Sequence, residues 1–237
     1  MNKITCFVLS AAAAPLAGVL LSTTAVATLT SYDAAIEADH AGALPYIAAS
    51  KTSLSFDTTS GSPFDFGAVS GSSTIEFVVS GDPVAQGRDG FLAVGANGTW
   101  NLRYEQWDDT GQLGFTHLGV ADYVFVPAVT TPEDPTHIAF RWDQPTTTMD
   151  LYVNGVLGGS QAAATAFEMP TGAGFLGAKD AAGAEGMLGT IDRVTVYNDA
   201  IDPAVIASHA AAFTVPEPSA SLLLSLVAGI VFFRRRR

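Results

Sequence analysis

The sequence predicts an all-β, antiparallel domain, and three observations carry that expectation. Helical periodicity is nearly absent from the middle of the chain. Short runs rich in Thr, Val, Phe and Tyr recur there, separated by Gly, Asn, Asp and Pro. An Asn-Gly pair, Asn154-Gly155, sits between two alternating segments, where a type I′ hairpin needs residues at positive φ.

Taken in order, the predicted strands are Thr74 to Ser80 (TIEFVVS), Gly90 to Val94, Thr99 to Tyr104, Leu113 to His117 and Asp122 to Val126. Asp108-Asp109-Thr110-Gly111 reads as a tight turn between two of them. In THIAFRWD, Ile138, Phe140 and Trp142 alternate with His137, Ala139, Arg141 and Asp143, as a half-buried strand requires. Met149, Leu151 and Val153 repeat the pattern before Asn154-Gly155, and Val156-Leu157 starts the return strand. A Gly/Ala-rich loop leads to the last strand, Gly189 to Tyr197. There, strict period two would set Asp192 on one face with Val194 and Val196. A closing helix is expected from Asp202 as N-cap and Pro203 at N1 to about Ala212, with Ile201 and Ile206 placed for a hydrophobic staple.

Both ends of the chain read differently. Lys3, an almost uncharged stretch from Ile4 to Leu21 and Ala25-Val26-Ala27 follow the order of a secretory signal peptide over residues 1–27; the alternative is a buried N-terminal helix. The only cysteine, Cys6, lies inside this segment, so a processed chain has no disulfide and no thiol chemistry. At the other end, residues 215–237 contain Pro216-Glu217-Pro218, the uncharged run Ser219 to Phe233, and Arg234, Arg235, Arg236 and Arg237. As a helix those fifteen residues span roughly 22 Å against a hydrocarbon core of about 30 Å, and the arginines favour the cytoplasmic side. This order resembles the PEP-CTERM sorting signal. The resemblance implies transient membrane insertion, recognition by an exosortase-type processing enzyme, cleavage near the Pro-Glu-Pro motif, and delivery to the cell surface or extracellular matrix of a Gram-negative bacterium. A permanent single-span anchor is the alternative.

Residues 28–214 are sized for one domain. Of 11 basic residues five sit at the ends, Lys3 and the four terminal arginines, leaving six against 23 acidic ones. Nucleic acid is an improbable partner for such a chain, because phosphate contacts need Lys and Arg.

The HIAFRWD strand, the LYVNGVL hairpin and the closing GTIDRVTVYNDAIDPAVIASH resemble the laminin-G-like, concanavalin-A-like jelly roll. Tyr32 to Asp39 is similar to that family's lead-in, although Leu44-Pro45-Tyr46-Ile47 matches its aromatic first strand only in part. The resemblance implies two packed antiparallel sheets of six or seven strands, one of them concave, used by many relatives to bind carbohydrate or protein, sometimes beside calcium.

Signs of catalysis are sparse. Glu105-Gln106-Trp107-Asp108-Asp109 lacks the second Glu that a retaining glucan hydrolase sets about 5 Å from the first. His40, His117, His137 and His209 are scattered and read as surface or edge residues. Calcium is the one cofactor to carry forward: Asp192 and the loops at Gly81-Asp82 and Lys179-Asp180 supply hard oxygen ligands, and an aspartate bonded to backbone amides is the alternative role. Trp100, Tyr104, Trp107 and Tyr152 are the candidate sugar-stacking faces, with Trp142 assigned to the core. The expected function is therefore an exported, non-catalytic module that binds an extracellular polysaccharide or a surface protein. A glycan hydrolase on the same scaffold and a purely structural envelope protein are the alternatives.

Overall fold

A computed structural model describes residues 16–41, 46–81, 90–95, 100–106, 111–126, 128–129, 135–166 and 172–214. Two antiparallel sheets pack face to face. The first, sheet A, has seven strands: β1 (Tyr46–Ser50), β2 (Leu54–Asp57), β4 (Ser73–Gly81), β9 (Thr136–Asp143), β10 (Thr148–Val153), β11 (Val156–Ala162) and β13 (Leu188–Tyr197). Their order is β1-β13-β4-β9-β10-β11, with β2 pairing on β13. The second, sheet B, has six strands: β3 (Ser62–Asp65), β12 (Ala173–Leu176), β5 (Gly90–Gly95), β6 (Trp100–Glu105), β7 (Gly114–His117) and β8 (Ala121–Val124), in the order β3-β12-β5-β6-β7-β8. Helices α1 (Leu16–Ala41) and α2 (Pro203–Thr214) complete the fold. The all-β sandwich with a short C-terminal helix is thus the fold the sequence pattern predicts.

The core follows from strand alternation. Ile75, Phe77 and Val79 of β4, Ile138, Phe140 and Trp142 of β9, and Met149 and Leu151 of β10 project from sheet A. They meet Trp100, Leu102 and Tyr104 of β6, Phe115 of β7 and Tyr123 of β8. Phe77 and Phe140 meet edge to face at 6.2 Å, and Phe140 lies 5.9 Å from Phe125, so aromatic contacts cross from one sheet to the other.

A half-buried pattern was expected for β9, but its first five residues are all buried. The reason is a second layer. Tyr32 and Ile36 of α1 and Ile206 and Phe213 of α2 pack with Val78, Ala139, Tyr152 and Tyr197 on the outer face of sheet A. His137 and His209, expected at the surface, are buried there, whereas His40 and His117 are half-buried. The family-like lead-in at Tyr32 to Asp39 is thus the end of a helix. The signal-peptide boundary expected after Ala27 falls inside α1, and its described packing side chains, from Leu29 onward, lie beyond that boundary. Residues 1–15 and the sorting tail 215–237 lie outside the described residues, and among the described ones no helix is long and apolar enough to cross a membrane.

Helix α2 begins as predicted. Asp202 Oδ1 accepts from the Ala204 amide at 2.7 Å, and Ile201 and Ile206 are both buried in the outer layer. Arg141 of β9 donates to the carbonyl of Ile201 (3.0 Å) and to Asp150 Oδ2 of β10 (3.2 Å), tying the helix entry to the sheet. At the β10-β11 turn, Asn154 and Gly155 take φ of 50° and 77°. A Cβ on Gly155 would stand 2.8 Å from the Ala207 Cα, so the turn needs glycine for conformation and for room under α2. Gly155→Ala is expected to lower the unfolding free energy by roughly 2–4 kcal/mol in chemical denaturation, through left-handed strain plus the contact with α2. A loss below about 0.5 kcal/mol would show that α2 does not press on this turn.

Candidate functional site

On β6 the inward residues Trp100, Leu102 and Tyr104 alternate with Asn101, Arg103 and Glu105, which belong to the outer face of sheet B. Pairing registers extend that face into a row. Phe175 of β12 stands opposite Val94 of β5, Val94 opposite Asn101, Asn101 opposite Thr116 of β7, and Thr116 opposite Asp122 of β8. Phe91 of β5 faces Arg103 in the adjoining row. Together with Leu118, Lys179 and Glu185 these residues line an open cavity of about 380 Å³.

Arg103 forms the floor. Its Nε donates to Asn101 Oδ1 (3.0 Å) and Thr116 Oγ1 (3.2 Å), and its Nη1 donates to Glu185 Oε2 (3.1 Å). The guanidinium carbon lies 4.3 Å from the centre of the Phe91 ring, a cation-π contact. Thr116 in turn donates to Asp122 Oδ1 at 2.6 Å, so its hydroxyl hydrogen is committed away from Arg103. The rim is the β12-β13 loop. Lys179 Nζ donates to Glu185 Oε1 (3.0 Å), while the Glu185 carbonyl accepts from the Phe91 amide (3.1 Å). Asp180 braces that loop by accepting from the amides of Ala182 (2.9 Å) and Ala184 (3.2 Å).

The buried floor and open rim suit a polyhydroxylated ligand. Arg103, Asn101 and Thr116 are each at most 6% exposed, while Asp122 and Lys179 reach solvent. Acceptors and donors are fixed before any ligand arrives, and Phe175 and Leu118 offer apolar walls.

The residues singled out in the sequence fall elsewhere. Trp100 and Tyr104 are fully buried in the sandwich core, and Tyr152 lies under the helices at 5% exposure. None of the three offers a ring to solvent, because β6 turns its aromatic side inward and α1 and α2 cover Tyr152. Trp107 lies outside the described residues. Glu105 is buried and accepts from the Gly111 amide at 3.0 Å. A bulge between Ile191 and Arg193 interrupts period two at Asp192: Ile191 joins the core with Val194 and Val196, and Asp192, the extra residue, is half-buried. Among the described residues no group of three His, Cys, Asp or Glu side chains is gathered for a metal. Sequence reasoning missed Arg103, Asn101 and Thr116; for the first two the available signal was their alternation with the three core residues of β6, whereas Thr116 of β7 joins them only through strand register.

The laminin G type-3 profile, of the concanavalin A-like lectin/glucanases superfamily, matches residues 56–207, more than half of the chain. The chain belongs to this superfamily. No curated protein matches it in sequence. Among solved structures, this superfamily member resembles domain 4 of AbnA, a GH43 extracellular arabinanase from Geobacillus stearothermophilus in complex with arabinotriose. The TM-score is 0.53 at 19% identity, over 69% of this chain and 81% of that one. It also resembles the Ruminococcus gnavus IT-sialidase CBM40 bound to α2,3-sialyllactose (TM-score 0.48, 16% identity, 69% and 99% covered). A third likeness is to the NanB sialidase of Streptococcus pneumoniae (TM-score 0.49, 20% identity), with 73% of this chain covering 28% of that one. At these identities the likeness is one of fold, and this fold hosts both binding modules and hydrolases.

Arg103 is the cleft's structural keystone. Arg103→Met should lower unfolding free energy by about 1–3 kcal/mol in denaturant titration, because Asn101 and Thr116 lose their donor while Glu185 keeps solvent and Lys179. An unchanged midpoint would mean that the floor is not held by this residue.

Proposed function

We propose that this chain is an exported, non-catalytic glycan-binding module that takes a neutral oligosaccharide on the outer face of sheet B. The observation that carries the reading is the Asn101-Arg103-Thr116-Asp122 network, rigid at its buried end and open at the other. The two cations of the cleft, Arg103 and Lys179, are matched by Asp122 and Glu185, which favours an uncharged ligand over an acidic polysaccharide. A domain of this fold has been solved with arabinotriose, which fits a saccharide as the ligand class. Binding without hydrolysis is favoured because both Glu185 oxygens are engaged by cations and Asp122 takes the Thr116 hydroxyl.

Export is part of the same reading. Residues 1–27 would direct secretion, and Pro216-Glu217-Pro218 with Arg234 to Arg237 would present the chain to an exosortase-type enzyme for transfer to the surface or matrix. Calcium held through Asp192 would brace β13 in sheet A and would not touch a ligand on sheet B.

Calorimetry of the full chain with neutral arabino-oligosaccharides, with and without chelator, tests the site. Binding is expected in both conditions, and Asp122→Ala should weaken it about tenfold, near 1.4 kcal/mol. Release of reducing ends would instead support a hydrolase, and no binding to neutral or acidic glycans would favour a structural role. For sorting, alanines at Pro216, Glu217 and Pro218 should leave a longer, membrane-retained chain; unchanged processing would overturn the exosortase reading.

A further inference from the structure

A second group of titratable side chains lies on the opposite side of the sandwich, between sheet A and the two helices. Glu76 of β4 is fully buried on the outer face. His209 of α2 places Nδ1 2.9 Å from Glu76 Oε2 and 3.0 Å from Oε1, and its Nε2 contacts Asp39 Oδ2 of α1. The Tyr32 hydroxyl of α1 donates to Glu76 Oε2 at 3.2 Å, and His137 Nε2 of β9 stands 3.5 Å from the same oxygen. Tyr197 of β13 stacks on the His209 ring at 6.2 Å.

We propose that α1 is held by a pH-controlled latch, in which His209 docks the C-terminal end of α1 onto sheet A only while both of its ring nitrogens carry hydrogen. The geometry requires it. Ionised carboxylates only accept hydrogen bonds, and His209 has one on each side of its ring, so each nitrogen must donate. A neutral ring leaves one lone pair facing a carboxylate. The two contacts are unequal: Glu76 is sealed from water, whereas the Asp39 side chain is 33% exposed. Asp39 can therefore turn to solvent and Glu76 cannot, so the tie to α1 is the one that breaks.

The charges agree with this order. Burial alone would raise the Glu76 carboxyl, but His137 and His209 more than offset it and hold it down at about 2, so it stays ionised. Burial likewise pulls His209 down, and Glu76 and Asp39 override that pull and raise it above the ordinary histidine value. A histidine raised in the folded state contributes stability fully below about pH 6.5, and that contribution is lost as pH rises through the folded value. Burial lowers the pKa of His40, the histidine of α1 itself. Tyr32 is pushed well above 10 by burial and by the Glu76 charge, and it keeps its proton. Two further ion pairs tie α1: Asp33 with Arg193 (2.7 and 3.1 Å) holds an earlier turn of the helix, and Glu37 with Lys51 is an exposed pair that contributes little.

Hydrogen exchange of the full chain at about pH 5.5 and about pH 8.5, corrected for intrinsic rates, reads the latch directly. At the higher pH, protection of residues 37–41 should fall about tenfold while sheet B is unchanged. Asp39→Asn, whose folding sheet B protection verifies, should show the lower protection at both pH values. Ring 15N shifts should report His209 doubly protonated at the lower pH. A neutral His209 there, equal protection of α1 at both pH values, or full pH dependence retained in Asp39→Asn would each overturn the proposal.

Discussion

Sheet A must bury both of its faces, and most of the structure follows from how the second face is closed. Its inner face is closed by sheet B chiefly through apolar contacts. The outer face carries Thr74, Glu76, His137 and Thr195 among its apolar residues, and a sheet cannot leave these dry without partners. The partners come from the two ends of the described chain: Tyr32 and Asp39 from α1, His209 from α2. A buried carboxylate is a costly way to close a layer, since an apolar residue of similar size would pack there without needing a partner. What Glu76 gives in exchange is position, because only one placement of each helix satisfies it.

The same requirement explains which parts of the fold the sequence disclosed. β9, β10 and the Asn154-Gly155 turn were legible because their inner faces alternate cleanly and the turn has specific chemistry. Helix α2 was legible from its cap, Asp202-Pro203. Helix α1 was not, because its described packing side chains are preceded by a stretch that reads as a leader. His137, His209 and Glu76 come together through tertiary packing alone, so no local spacing could join them. At Asp192 the pattern gives out for a different reason: period two assumes an unbroken strand, and a bulge just there shifts the phase by one residue.

The cleft shows how a correct strand can yield the wrong site. β6 was predicted, and its aromatic residues were chosen as stacking faces because sugar rings pack on exposed aromatics. In a two-layer sandwich, however, the larger apolar members of an alternating strand are the ones the core takes. What remained outside was Asn101, Arg103 and Glu105, a polar set that strand propensity does not mark as functional. Their meaning emerges only in register, when Thr116 and Asp122 arrive alongside and the β12-β13 loop brings Glu185 over the top.

The two outer faces are thus finished in opposite ways, one sealed by helices around titratable groups and the other left open around a fixed polar network. Between them lies an apolar core built on Phe77, Phe140, Phe125 and Phe115. Close-packed apolar contacts of this kind transmit steric displacement and not proton movement. A change of charge at His209 is therefore separated from Arg103 by that apolar core, and its reach is set by whatever backbone movement follows when the end of α1 lifts. Because Asp33 remains paired with Arg193 on β13, that movement is confined to the last turn and a half of the helix. The cleft on sheet B is then insulated from the latch on sheet A by construction, and a ligand site that must hold its geometry can share a domain with a helix that does not.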